Sequence, residues 1–334
     1  MTVRMRGSVA LGGLCLISFL VFLNASPAFS SPEEEPTFRL SEHLTLGIKT
    51  QRLIGSHTSY EFGNPEAPYQ APLSRLEFPL DSWWAGGELR VIFPRFSLGA
   101  EVLTNVPGDT DGRMKDSDWT DDDRPRVKTI YSEMLCRLQT SYAVGTDIDL
   151  KVSDWLCLPE WVDLRPVAGF RYQSLNLLVH DGAQYDLTGL SPPYHIVGNA
   201  IDFDQTYYQY FLGMRAGFDL GKYAGRLKLK KLAVRLQVDW AYVDGHNRDH
   251  HLLREGVRYT FEDTHGDAWH GLIGLEAGFT EHLSLALEGD FLAISTTGSH
   301  RFVNESFGVD EKWSNGVRVW SDQNSLSLKL RYAF

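Results

Sequence analysis

The chain has 334 residues, 43% hydrophobic and 22% charged, with a formal net charge of -11. Aromatics at 12%, nine of them tryptophan, exclude a disordered chain, and the negative balance excludes a binder that neutralises nucleic-acid phosphates. Three cysteines cannot form a disulfide framework, so a soluble globule or a membrane barrel remains.

Residues 1–30 read as a signal peptide: Arg4 and Arg6 precede an apolar run from Val9 to Leu23, and Ala28-Phe29-Ser30 offers small residues for cleavage. Removing them takes away two arginines and no acids, so the net charge falls from -11 to -13. Cys136 and Cys157 remain, and their spacing does not decide whether they pair.

Beyond Ser30 no run is long and apolar enough for a transmembrane helix. Two-residue alternation recurs instead, at Phe96, Leu98, Ala100 and Val102, at Leu232, Val234, Leu236, Val238 and Trp240, and at Leu283, Leu285, Leu287 and Phe291. Glu288 and Asp290, or Arg235 and Asp239, sit on the other face of such strands, where a sandwich would need apolar core. Aromatics such as Trp83, Trp240 and Tyr242 gather near strand ends as interfacial girdles do. The chain ends in strict alternation from Leu326 to Phe334, like the insertion signal of Gram-negative outer-membrane barrels.

These features predict an all-β fold, a ten-stranded antiparallel transmembrane β-barrel with long extracellular loops, forming one domain over residues 31–334. The strands are expected near 42–55, 75–93, 96–106, 128–153, 162–178, 205–220, 228–243, 257–280, 283–297 and 318–334. With both termini in the periplasm, the long links 56–74, 107–127, 179–204, 244–256 and 298–317 face outward from the cell.

Two of those links carry chemistry. One holds Asp116, Asp118, Asp121, Asp122 and Asp123, five aspartates in eight residues, and another holds Asp244, His246, Asp249, His250 and His251. A carboxylate that fixes one imidazole nitrogen leaves the other as a base. The same residue types also suit a solvated surface, a calcium site or a transition-metal site, and composition alone leaves those readings open.

Met114-Lys-Asp116-Ser-Asp118-Trp119 in one loop and an Asp-x-His in the facing loop, on ten strands behind a signal peptide, resemble the omptins, outer-membrane endopeptidases of Gram-negative bacteria. Ser59-Tyr60-Glu61, Ser74-Arg75-Leu76-Glu77, Asp149 to Trp155 and Ala168-Gly169-Phe170 follow the family's pattern in order. The resemblance implies a catalytic Asp-Asp couple at Asp116 and Asp118 and a His-Asp dyad. Of the two candidate dyads, Asp249 with His251 needs smaller gaps than Asp244 with His246. It implies attack by an activated water, with Ser74 and Ser132 structural and no metal or other cofactor. Glu61 and Asp244 are the substrate-binding acids it implies for a basic side chain, although a gap-free placement puts Asn247 where Asp244 would serve.

The expected partners are cationic peptides or proteins and outer-membrane lipid, with no nucleic acid, and the chain is expected to be a monomer. Lipopolysaccharide dependence does not carry over: Ser174 stands where the family has an outward arginine, and Arg171 has lumen-facing parity. The alternatives are a non-proteolytic barrel acting as adhesin or structural protein, a small porin, and a metal-binding barrel.

Overall fold

The computed structural model describes residues 43–64 and 70–334; the predicted signal segment lies outside them. Among the described residues fifteen strands form one antiparallel sheet: β1 (Leu44–Leu53), β2 (His57–Asn64), β3 (Gln70–Pro79), β4 (Trp83–Ile92), β5 (Phe96–Asn105), β6 (Gly108–Asp109), β7 (Met114–Asp118), β8 (Ile130–Leu138), β9 (Tyr142–Leu150), β10 (Val162–Asp186), β11 (Tyr194–Asp219), β12 (Lys231–His251), β13 (Arg258–Gly278), β14 (Leu283–Asn304) and β15 (Val309–Ala333). The sheet closes on itself through β1 and β15, whose register runs from Thr45 opposite Ala333 to Leu53 opposite Ser325.

The ring has ten strands at each of two levels. Near the termini it runs β1-β4-β5-β9-β10-β11-β12-β13-β14-β15; at the far end β2, β3, β7 and β8 replace β1, β4, β5 and β9. The first four staves are therefore interrupted. Their breaks are stitched by short polar side chains: the Asp81 carboxylate accepts from the Gly55 and Ser56 amides at 2.8 and 2.6 Å, and Asn105 Oδ1 accepts from the Ser141 amide at 2.8 Å. Gly55 takes φ +62° at the first break, a left-handed conformation that suits glycine.

The strands reach further than alternation predicts. β12 spans 21 residues, so at roughly 3.3 Å per residue it is far longer than a tilted membrane strand of about ten residues. The expected links 56–74 and 244–256 shrink accordingly, with β2 running to Asn64 and β12 to His251. The outward face shows where the membrane ends. Leu236, Val238, Trp240 and Tyr242 are exposed apolar groups, and the next outward positions are Asp244, His246, Arg248 and His250. Above that boundary both faces of β12 are polar. The apolar period vanishes while the ladder of hydrogen bonds continues, which is why these segments read as loops.

The lumen is filled in two ways. Near the termini, buried Lys329 bridges Glu88, Glu101 and Glu288 at 2.8–3.1 Å, while Arg90, Arg165 and Arg215 surround Asp149 at 2.6–3.0 Å. These inward charges are compensated by one another, as burial requires. Further up, Leu76, Phe78, Leu175, Leu177, Phe203 and Tyr207 form one buried apolar cluster inside the ring. Cys136 is buried in β8 and Cys157 is exposed, and both are free thiols, so the possible pairing is not made.

Candidate active site

On β12 alternate side chains enter the lumen. Asp239, Ala241, Val243, Asn247 and Asp249 are buried inward positions, and the residues between them face out. That parity separates the two candidate dyads. Asp249 and His251 point into the barrel, with His251 Nε2 3.1 Å from Asp249 Oδ2. His246 lies outside, its Nδ1 2.9 Å from the exposed Asp263 carboxylate, and His250 stacks on Tyr259 with ring centroids 4.2 Å apart. The three histidines thus diverge. Among the described residues no three His, Cys, Asp or Glu side chains group in a way that could hold a metal ion.

Asp116 and Asp118 are not on a loop but on β7, held between β3 and β8. Asp116 lies opposite Leu76 and Ser132, and Asp118 opposite Ser74 and Ile130. The top of the strand is pinned: the Thr129 amide donates to the Asp118 carbonyl at 2.8 Å, and the Trp119 amide to that of Leu73 at 2.9 Å. The remaining aspartates separate from this pair. Asp121 closes the following turn on Arg124, and Asp122 and Asp123 are peripheral.

β7 and β12 stand four strands apart around the ten-stranded ring, so the Asp116–Asp118 couple and the Asp249–His251 pair face each other across the mouth. Their electrostatics differ in sign. Burial, then the neighbouring Asp118 charge, pushes the Asp116 carboxyl up to about 7, against the pull of His251 and Arg254. Burial also drives the Asp249 carboxyl upward. There it is outweighed by the charge and hydrogen bond of His251, by a hydrogen bond from Tyr60 and by Arg258, so Asp249 lies below its ordinary value. The site therefore sets an ionised aspartate beside an imidazole against Asp116, whose carboxyl keeps its proton up to about 7.

The two expected substrate-binding acids are not in this site. Glu61 has the parity opposite to buried Tyr60, faces outward and is paired with Arg75 at 2.7 Å. Asp244 also faces outward and accepts the Tyr242 hydroxyl at 3.1 Å. Both placements follow from the two-residue period of a strand, which one residue of misregister reverses. Asn247 occupies the inward position below the dyad, taking the Gln205 amide at 3.2 Å.

Opposite Asn247, on β13, stands Glu262. It is fully buried and pushed upward by that burial, although His300 Nδ1 lies 2.8 Å from Oε1. His300 is itself stacked between Phe62 and Trp313, at 4.6 and 5.8 Å. Asp116 Oδ1, Asp249 Oδ1 and Glu262 Oε2 are buried without a protein hydrogen-bond partner. Arg254 and Arg258 add positive charge beside the acids. Sequence reasoning missed Tyr60, Glu262, His300 and Arg258. Glu262 and Arg258 share the inward parity of β13, inside the strand expected at 257–280, so its two-residue alternation was the signal that could have found them.

A closed ten-stranded antiparallel barrel with an apolar outer belt defines a class, the outer-membrane β-barrel. The sequence profile of the omptin family matches residues 73–334, and the chain belongs to that family of outer-membrane proteases. Its mouth opens outside the cell of a Gram-negative bacterium. The crystal structure of the outer membrane protease OmpT from Escherichia coli superposes with a TM-score of 0.75 at 14% identity, covering 90% of this chain and 99% of that one. The translocator domain of the autotransporter NalP from Neisseria meningitidis gives 0.35 at 8% identity, over 96% and 94% of the two chains. The transport unit of the autotransporter AIDA-I from Escherichia coli gives 0.36 at 10%, over 96% and 97%. No curated protein matches the chain in sequence.

Proposed function

We propose that the chain is an endopeptidase that hydrolyses extracellular peptides by activating a water between Asp249–His251 and Asp116–Asp118. The observation that supports this most is the convergence of these four side chains from nearly opposite walls, with only His251 of the three neighbouring histidines turned inward. His251, oriented by Asp249, removes a proton from the water as its oxygen adds to the scissile carbonyl. The proton held by the Asp116–Asp118 couple passes to the departing amine as the C–N bond breaks. No acyl-enzyme forms, since the nucleophile is water.

The proposed preference is for basic side chains, and it rests on different acids from those the resemblance implied. Glu262, with one carboxylate oxygen unpartnered beside the dyad, takes the place of Glu61 and Asp244. Arg254 and Arg258 offset part of the acidic field, so attraction of cationic peptides is a property of the site rather than of the whole rim. On the outer wall Ser174 lies between Thr206 and Tyr142, without the basic side chain that would grip a lipid phosphate. We therefore also propose activity in detergent without lipopolysaccharide.

Refolded protein acting on quenched peptides with Arg-Arg or Ala-Ala bonds tests the reading. Cleavage is expected to persist in chelator and without lipopolysaccharide, to show no burst, and to be lost in Asp116→Asn/Asp118→Asn. Glu262→Gln is expected to lower kcat/KM for Arg-Arg about tenfold more than for Ala-Ala, the scale of one charge-assisted contact. Full activity of the double variant would refute the role of the couple, and equal effects of Glu262→Gln on both peptides would refute the specificity.

A further inference from the structure

Asp249 is held from a direction that the dyad alone does not supply. Its Oδ2 receives the Tyr60 hydroxyl as well as facing His251 Nε2, whereas Oδ1 has no protein partner, and the whole side chain is buried. Tyr60 belongs to β2, four strands from β12 around the ring, so this hydrogen bond crosses the lumen. The phenol is itself fixed. Its ring stacks on Phe203 at 5.5 Å and 6°, and Phe203 stacks on Phe78 at 4.4 Å and 9°. Such a platform leaves the hydroxyl little freedom to leave Asp249.

The groups facing Asp249 are few. His251 lies on its own strand, Tyr60 comes from β2, Glu262 and Arg258 from β13, and Asp116 from β7, while β11 offers the apolar Phe203. Two of these are acids whose charge opposes ionisation of Asp249. Resting on the hydrolytic reading above, we infer that Tyr60 is the positioning residue of the dyad: its hydroxyl anchors Asp249 from the opposite wall and so sets the orientation of His251. Burial and the nearby Asp249 and Glu262 charges hold the Tyr60 phenol well above its ordinary value, so it stays a donor wherever the dyad works.

Tyr60→Phe keeps the aromatic stack and removes one hydroxyl. The expected result is a loss of kcat of about 10- to 100-fold with KM within twofold, the scale of a hydrogen bond to a buried charge. The acid limb of the kcat–pH profile, which belongs to the Asp249–His251 pair, is expected to move to higher pH, because the ionised carboxylate has lost a donor. Removing the hydroxyl in an Asp249→Asn background should cost little more. Infrared titration of the Asp249 carboxyl, assigned by difference against Asp249→Asn, should show the same upward movement without any turnover. An unmoved acid limb, an unmoved carboxyl titration, or a loss confined to KM would overturn the inference. Fluorotyrosine at position 60, a stronger donor of nearly the same shape, should move the limb downward and serves if Tyr60→Phe does not fold. An inactive wild type would instead refute the hydrolytic reading, and the infrared titration would still decide the role of Tyr60.

Discussion

Two aspartates in one lumen meet opposite fates because their nearest neighbours differ. Asp249 is buried beside an imidazole and a phenol, and ionises readily; Asp116 is buried beside Asp118 and resists it. The Asp116 carboxyl rises from an ordinary 3.8 to about 7, so between those values the folded chain binds more protons than the unfolded one. Stability from this group is thus present below the lower value and lost as pH rises through the higher one. Asp116→Asn is therefore expected to raise thermal stability in detergent at about pH 8 and to leave it unchanged at about pH 3.5. Equal gains at both would show that the charge of Asp116 is not the cause. On the proposed mechanism catalysis is expected to fall in the same variant, a trade of stability for activity.

At the scale of the strand, one residue of register decides function. The segment from Asp244 to His251 offers two Asp-x-His patterns, and the alternation of β12 turns one into the lumen and the other outward. The membrane half of the barrel was legible in sequence, since lipid outside and charge inside impose a period of two at Leu232–Trp240 and Leu326–Phe334. The upper half was not. Its outward faces are polar, so apolar residues alternate with polar ones only briefly, as at Tyr60 and Phe62, or not at all, as from Asp116 to Asp118. The resemblance singled out Asp116, Asp118, Asp249 and His251, which the fold brings to one end of the lumen, and also Glu61 and Asp244, which the fold turns outward, because matching residue types does not fix which face they occupy. Glu61→Gln and Asp244→Asn are accordingly expected to keep kcat/KM for an Arg-Arg peptide within about twofold, as surface changes outside a cleft do. A tenfold loss in either would show that the outward face takes part in binding.

Across the whole molecule, lipid exposure and lumen filling divide the labour. The outward row Leu326, Leu328, Leu330 and Tyr332 belongs to the apolar belt, while Asp322, Trp320 and Arg318 continue the same face above it. Leu328→Arg is expected to destabilise the folded barrel by about 2–4 kcal/mol in bilayers, as a charge near the midplane does. Arg318→Ala should have an effect near zero, and comparable losses at the two positions would misplace the membrane boundary. Inside, the aromatic cluster around Phe78, Phe203 and Tyr207 fills the ring beneath the site and favours a closed barrel over a conducting pore. That filling also supplies the rigid floor on which Tyr60 stands and against which the two walls are held.

In the proposed hydrolysis His251, and not its neighbours, is the base. Parallel measurement of kcat on an Arg-Arg peptide for wild type, His251→Ala and His246→Ala tests that assignment. The expected result is a loss of about 10²- to 10⁴-fold in His251→Ala, the range for a general base, with His246→Ala within about twofold of wild type. Loss in His246→Ala with His251→Ala active would contradict it.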